Sequence, residues 1–206
     1  MARKKSMNML ELWAASLASP SKTFGEEAKS RHTLARAALH VLVSSIIVVV
    51  ILALSGSMAA RYQMFIDAMP GISSAFWAVL LAAVIVANLL AWLVMSGILH
   101  IFAKAFGGRG GYTQQSYLIA IYSAPIAIIS AAIGLIPAAG GIINFAISIY
   151  SLYLLTIALK ITHKYTTGKA VLTWLVPALI ILVLIVAAAF LYFSFSMIPP
   201  YPMPPG

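Results

Sequence analysis

The chain has 206 residues, 63% hydrophobic and 8% charged, with a formal net charge of +9 at pH 7 and no cysteine. Its mean hydropathy is +1.02, whereas soluble domains carry about 25% charged residues, so the composition excludes a water-soluble globular fold and calls for lipid as solvent. The missing cysteine excludes disulfides, thiolate catalysis, iron–sulfur clusters and cysteine zinc sites, and the basic excess reads as membrane orientation and headgroup contact, with no nucleic acid partner.

In chain order, residues 1–33 form a basic segment without the uninterrupted apolar stretch of a cleavable signal peptide. Met7, Leu10, Trp13 and Leu17 recur at helical spacing and Pro20 ends the pattern, which predicts a short helix lying in the membrane interface. Thr23-Phe-Gly-Glu26 fits a capping box whose helix runs on into the first span.

A helical crossing takes about 20 apolar residues. The charge-free stretches predict spans at about 37–55, 76–102, 116–136, 141–159 and 170–193. The third and fourth come from one long stretch, divided at Gly134-Leu-Ile-Pro137-Ala-Ala-Gly140-Gly141, where Gly and Pro mark a turn. The runs are continuously apolar rather than alternating, which selects helices over barrel strands. Pro125 and Pro177 fall inside spans and predict kinks. Residues 196–206 read as a Pro-rich external tail. The expected fold is therefore all-α, a five-helix integral membrane bundle occupying 34–195.

Direction follows from the Lys and Arg residues. Arg3, Lys4, Lys5, Lys22, Lys29, Arg31 and Arg36 precede the first span, Lys104 and Arg109 follow the second, and Lys160, Lys164 and Lys169 lie between the fourth and fifth. Only Arg61 is on the other side. The positive-inside rule then predicts a multi-pass cell-membrane protein with a cytoplasmic N-terminus and an external C-terminus.

The four acids, Glu11, Glu26, Glu27 and Asp67, all lie outside the predicted spans. Paired carboxylates and acidic metal clusters within the membrane are thus excluded, and no Walker, G-x-S-x-G or H-E-x-x-H pattern occurs. No enzyme activity and no cofactor are expected. Asn88, Asn144 and Ser148 are the intramembrane polar candidates; they fit helix packing, or the lining of a path for ions or small neutral solutes. The small-residue stripes Ala83, Ala87, Ala91 and Ser123, Ala127, Ala131 predict close helix contacts.

His40 and His100 are expected at one depth on neighbouring antiparallel helices, which makes them weak candidates for a metal or haem; interfacial hydrogen bonding is the ordinary alternative. His32 and His163 are expected to face solvent. Lys104, Gly107, Gly108, Arg109 and Gly110 form a loop that reads either as a tight turn or as a site for lipid phosphates, through exposed amides and charge.

The stretch from Leu99-His-Ile-Phe-Ala-Lys through Gly107-Gly-Arg-Gly-Gly to Tyr122-Ser-Ala-Pro125 resembles the signature of the Yip family of Ypt/Rab-interacting membrane proteins. Pro20-Ser-Lys-Thr-Phe24 is similar to the Pro-x-x-Thr-Phe segment of prokaryotic members, and the likeness covers roughly residues 10–195. The resemblance implies a five-span, N-inside membrane organiser or scaffold that binds lipid headgroups and membrane-protein partners or copies of itself. The acidic Asp-Leu-Tyr-Gly-Pro type motif of eukaryotic members is absent, which implies a prokaryotic-type member.

Overall fold

The computed structural model describes residues 7–55 and 74–196. Among these residues the chain forms seven α-helices and no strand: α1 (Met9–Ala18), α2 (Pro20–Glu27), α3 (Leu34–Leu54), α4 (Ser74–Ala105), α5 (Tyr112–Ile133), α6 (Ala139–His163) and α7 (Thr167–Ser196). Five of them, α3 to α7, are long and apolar enough to cross a membrane. Helices satisfy every backbone group within the segment, which lipid cannot do. The Pro-rich tail, Arg61 and Asp67, and the first basic residues of the chain lie outside the described residues.

The observed spans differ from the expected ones in one consistent way. At the end bearing the basic residues, α3 begins at 34 rather than 37, α4 ends at 105 rather than 102, α5 begins at 112 rather than 116, α6 ends at 163 rather than 159, and α7 begins at 167 rather than 170. Hydropathy stops at the first charged or amide side chain. The helix does not, because Lys and Gln are good helix formers and their long stems return the polar head to water.

Local signals fix the ends. Asn8 and Glu11 form a reciprocal capping box, Glu11 N donating to Asn8 Oδ1 (2.8 Å) and Asn8 N to Glu11 Oε2 (2.9 Å). Thr33 caps α3 by accepting from Arg36 N at 3.2 Å. α6 ends at Lys164, whose left-handed φ of 53° reverses the chain within a three-residue link. The α5–α6 turn falls at the expected Gly/Pro break. Ala139 N donates to Pro137 O at 2.7 Å and Ala138 has φ 61° and ψ −48°, a strained three-residue turn.

α3 packs most extensively on α5; α5 also meets α4 and α6, and α7 closes against α4 and α6. The segment before the first span departs from expectation. α1 and α2 form a hairpin docked into the bundle, α1 on α5 and α2 on α6. Leu12, Trp13 and Ser16 of α1 and Thr23 and Phe24 of α2 are buried, while Leu10 is 70% exposed. The helix expected over 7–18 thus exists and sits against protein: Trp13 of the expected stripe is buried and Met7 and Leu17 pack on the core, while Leu10 stays outside. Thr23-Phe-Gly-Glu26 caps nothing: Thr23 lies inside α2, its hydroxyl donates to Ala15 O (2.9 Å), and α2 ends at Glu27, well before α3.

Burial is one-sided along the bundle. The buried residues of α3 are Ala37 to Ser45, of α5 Gln115 to Pro125, and of α6 Leu154 to His163 with Gly140 apart. In α4 they are Trp92, Ser96, Leu99 and Ala103, and in α7 Ala170, Thr173 and Pro177. All but Gly140 belong to the basic half. In the opposite half large apolar side chains such as Val84, Ile142, Phe145 and Leu182 are exposed, the surface that a lipid solvent covers.

Candidate functional site

Two polar clusters occupy the packed basic end. The first centres on Tyr117, in the second turn of α5 and fully buried. Its hydroxyl donates to Glu27 Oε2 at 3.1 Å. His32 stacks on its face, with centroids 3.6 Å apart and planes at 8°, the Arg36 guanidinium lies 5.9 Å from its centroid, and His40 meets it edge-on at 5.8 Å. His40 is further held by Trp13, whose indole N–H donates to His40 Nδ1 at 2.9 Å. An indole can only donate, so that Nδ1 carries a lone pair and His40 its proton on Nε2. His32 Nε2 lies 2.8 Å from the Glu27 carbonyl, and its buried Nδ1 has no partner among the described residues.

The second cluster centres on Gln115, also fully buried. Its amide donates to Ser96 O at 2.8 Å, and its Oε1 lies 2.8 Å from His163 Nε2 and 3.2 Å from His100 Nδ1. One side-chain oxygen thereby joins α4, α5 and the end of α6. Tyr165, in the link after α6, donates its hydroxyl hydrogen to Thr173 Oγ1 at 2.8 Å, the Thr173 hydroxyl itself donating to Lys169 O at 2.7 Å. Burial pushes the Tyr165 phenol above the ordinary tyrosine value, so it stays neutral.

The glycine loop closes over this cluster. Gly107, with φ 83°, ends α4: its N–H donates to Lys104 O (2.9 Å) and that of Gly108 to Ala103 O (2.8 Å), a Schellman closure. A Cβ on Gly108 would stand 2.6 Å from His163 Nδ1, and one on Gly110 would strike the Thr162 carbonyl. Arg109 N donates to His163 O at 3.1 Å. The amides of 107, 108 and 109, expected to face a phosphate, are therefore spent on the protein. The Lys104 and Arg109 residues stay exposed.

His40 and His100 belong to different clusters, one bonded to Trp13 and the other to Gln115, and His100 faces His163 with ring centroids 5.5 Å apart. His163 is fully buried and the His32 side chain nearly so, against the expectation of solvent, because Gln115 and Tyr117 offer them partners. Among the described residues no three His, Asp or Glu side chains converge as a metal-holding group. Asn88 Nδ2 donates to Ser45 Oγ on α3 (2.6 Å) and Asn144 Nδ2 to Ser130 O on α5 (3.1 Å), while Ser148 bonds the Asn144 carbonyl of its own helix (2.9 Å). Ala83, Ala87 and Ala91, expected in a helix contact, are exposed. Gln115, Tyr117 and Ser96 carry no pattern that distinguishes them in the sequence beyond an amide and a phenol beside the Gly-Gly loop.

Fold and clusters together define a multi-pass, all-α membrane protein with two buried polar clusters at one end. The sequence pattern of the Yip1 domain matches residues 14–190, and the chain belongs to that family. The match begins at Ala14, inside α1, so it takes in most of the docked hairpin with the five spans. No curated protein and no solved structure matches the chain.

Proposed function

We propose that the protein is a non-enzymatic organiser of the cell membrane, with its N-terminus and basic end in the cytoplasm and its C-terminus outside. The observation that supports this most directly is the packed end: the helix core, the docked hairpin and exposed Lys104, Arg109, Lys160, Lys164 and Lys169 all lie there. Juxtamembrane basic residues each attract an anionic surface by about 1 kcal/mol. Lys104 and Arg109 engage headgroups through their side chains, and partner membrane proteins or further copies of the chain assemble in the bilayer around the span surfaces.

Two measurements test the reading. The chain has no native cysteine, so Ser6→Cys and Gly206→Cys variants report topology. An impermeant maleimide should label Gly206→Cys in intact cells and Ser6→Cys only after permeabilisation; the reverse pattern refutes the orientation. Native mass spectrometry of the protein extracted with lipid should show anionic lipid retained over phosphatidylcholine and lost in Lys104→Gln/Arg109→Gln. Retention indifferent to headgroup charge refutes the headgroup role.

A further inference from the structure

The α1–α2 hairpin enters the bundle from the basic end and stops partway. Ser16, near its tip, donates to Ile121 O at 3.0 Å. Ile121 lies nine residues into α5, about 14 Å along a helix roughly 33 Å long at 1.5 Å per residue. The turn's backbone is satisfied by the protein: Ala15 O accepts from Ser19 N (2.9 Å) and from Thr23 Oγ1 (2.9 Å), and Leu17 O accepts from the Tyr150 hydroxyl. Irregular backbone is tolerated at membrane depth under that condition. Lys22, exposed on α2, has a four-carbon stem that carries its ammonium back toward the headgroups.

One half of the bundle therefore contains seven helix sections around a packed core, and the other contains five whose described side chains are exposed or half-buried, Gly140 alone being buried. A helix with its side chains is about 10 Å across, so the hairpin adds roughly 160 Å² of cross-section at one side of the bilayer. Inserted area on one side expands that leaflet relative to the other. The bilayer relaxes by curving so that the expanded leaflet is outermost, the reason interfacial helices respond to curvature.

We propose that the protein is a wedge that prefers and promotes membrane convex on its basic side, the docked hairpin supplying the excess area and the lipid bilayer itself being the ligand. This rests on the organiser reading and specifies what is organised. It differs from headgroup attraction because it needs no anionic lipid.

The test uses the full chain, fluorescently labelled, in giant vesicles of phosphatidylcholine alone, from which thin tubes are pulled. Protease access to the N-terminal segment sorts the vesicles by orientation. The wedge concentrates in the tube when its basic end faces outward and is depleted when it faces inward, and deletion of residues 1–28 abolishes both. Equal densities on tube and flat membrane in both orientations overturn the proposal, as does undiminished sorting by an inserted deletion variant. Should the shortened chain fail to insert, the full chain's dependence on orientation decides alone. Sorting lost with anionic-lipid retention intact removes the wedge and leaves the organiser reading; sorting intact with retention lost does the opposite.

Discussion

Replacing Trp13 should unlatch the hairpin while leaving the five spans in place. Trp13 is 5% exposed, and its indole N–H is the donor to buried His40 Nδ1 at 2.9 Å. Trp13→Phe keeps most of the ring and removes the bond. Orphaning a buried acceptor costs about 1–3 kcal/mol in soluble proteins, whereas double-mutant cycles in a membrane bundle average about 0.6 and reach about 1.7. We take about 1 kcal/mol for Trp13→Phe, roughly a five-fold rise in local opening at 1.4 kcal/mol per decade. Trp13→Ala also empties the ring's site, where Trp→Ala changes in soluble cores cost about 3–5 kcal/mol; the lower end applies, since lipid can refill part of the space. That corresponds to about a hundred-fold rise in opening. Hydrogen exchange in nanodiscs reads it out: amides of 9–27 should exchange faster in the order wild type, Trp13→Phe, Trp13→Ala, with the buried amides of α5 and α6 unchanged. Unaltered protection at 9–27 in Trp13→Ala, or an equal loss across α3 to α6, would refute the latch.

Gly108→Ala forces a Cβ to 2.6 Å from His163 Nδ1 and 2.7 Å from Ala103 O; overpacking of this kind costs about 1–3 kcal/mol, visible as a lower thermal midpoint in detergent, whereas Gly111→Ala, with nothing within 4 Å of the added atom, should lie near wild type. Gln115→Leu removes the shared partner of His100, His163 and Ser96, leaving buried groups unpaired at about 2–3 kcal/mol, and a midpoint within error of wild type would contradict the joining role. Tyr117→Phe deletes only the hydroxyl bonded to Glu27, so hydrogen exchange should rise at the end of α2, by an amount matching about 1 kcal/mol, and not at α7. Asn88→Leu breaks one interhelical bond to Ser45 and should lower stability by about 0.6 kcal/mol without changing solute flux into proteoliposomes; a lost flux would revive the path.

The five spans were legible because lipid imposes one requirement on every residue of a crossing, and the requirement is additive along the chain. Their polar ends were less so, since Lys160, Lys104, Gln114 and Gln115 depress hydropathy without interrupting the helix. The hairpin shows where pattern reading fails in a membrane. Met7, Leu10, Trp13 and Leu17 make an apolar stripe, which in water would be the buried one. Trp13, Met7 and Leu17 do turn inward, but both protein and lipid accept apolar groups, so Leu10 stays out while the polar Ser16 goes in, where Ile121 O accepts from it. The same reasoning explains His163, which is buried because Gln115 accepts from it.

The sequence by itself determined the all-α class, the five crossings, the Gly/Pro turn after Ile133 and the gathering of basic residues at one end, because each follows from local composition and the solvent it requires. Only the tertiary structure decided that the N-terminal helix is half of a docked hairpin, that Gly108 and Gly110 are small to admit His163 and Thr162, and that Gln115 and Tyr117 join the helices. Those depend on which acceptor meets which donor across residues as far apart as Ser16 and Ile121. No window of sequence contains both partners, and an apolar solvent leaves close packing and such hydrogen bonds to choose between a helix's faces.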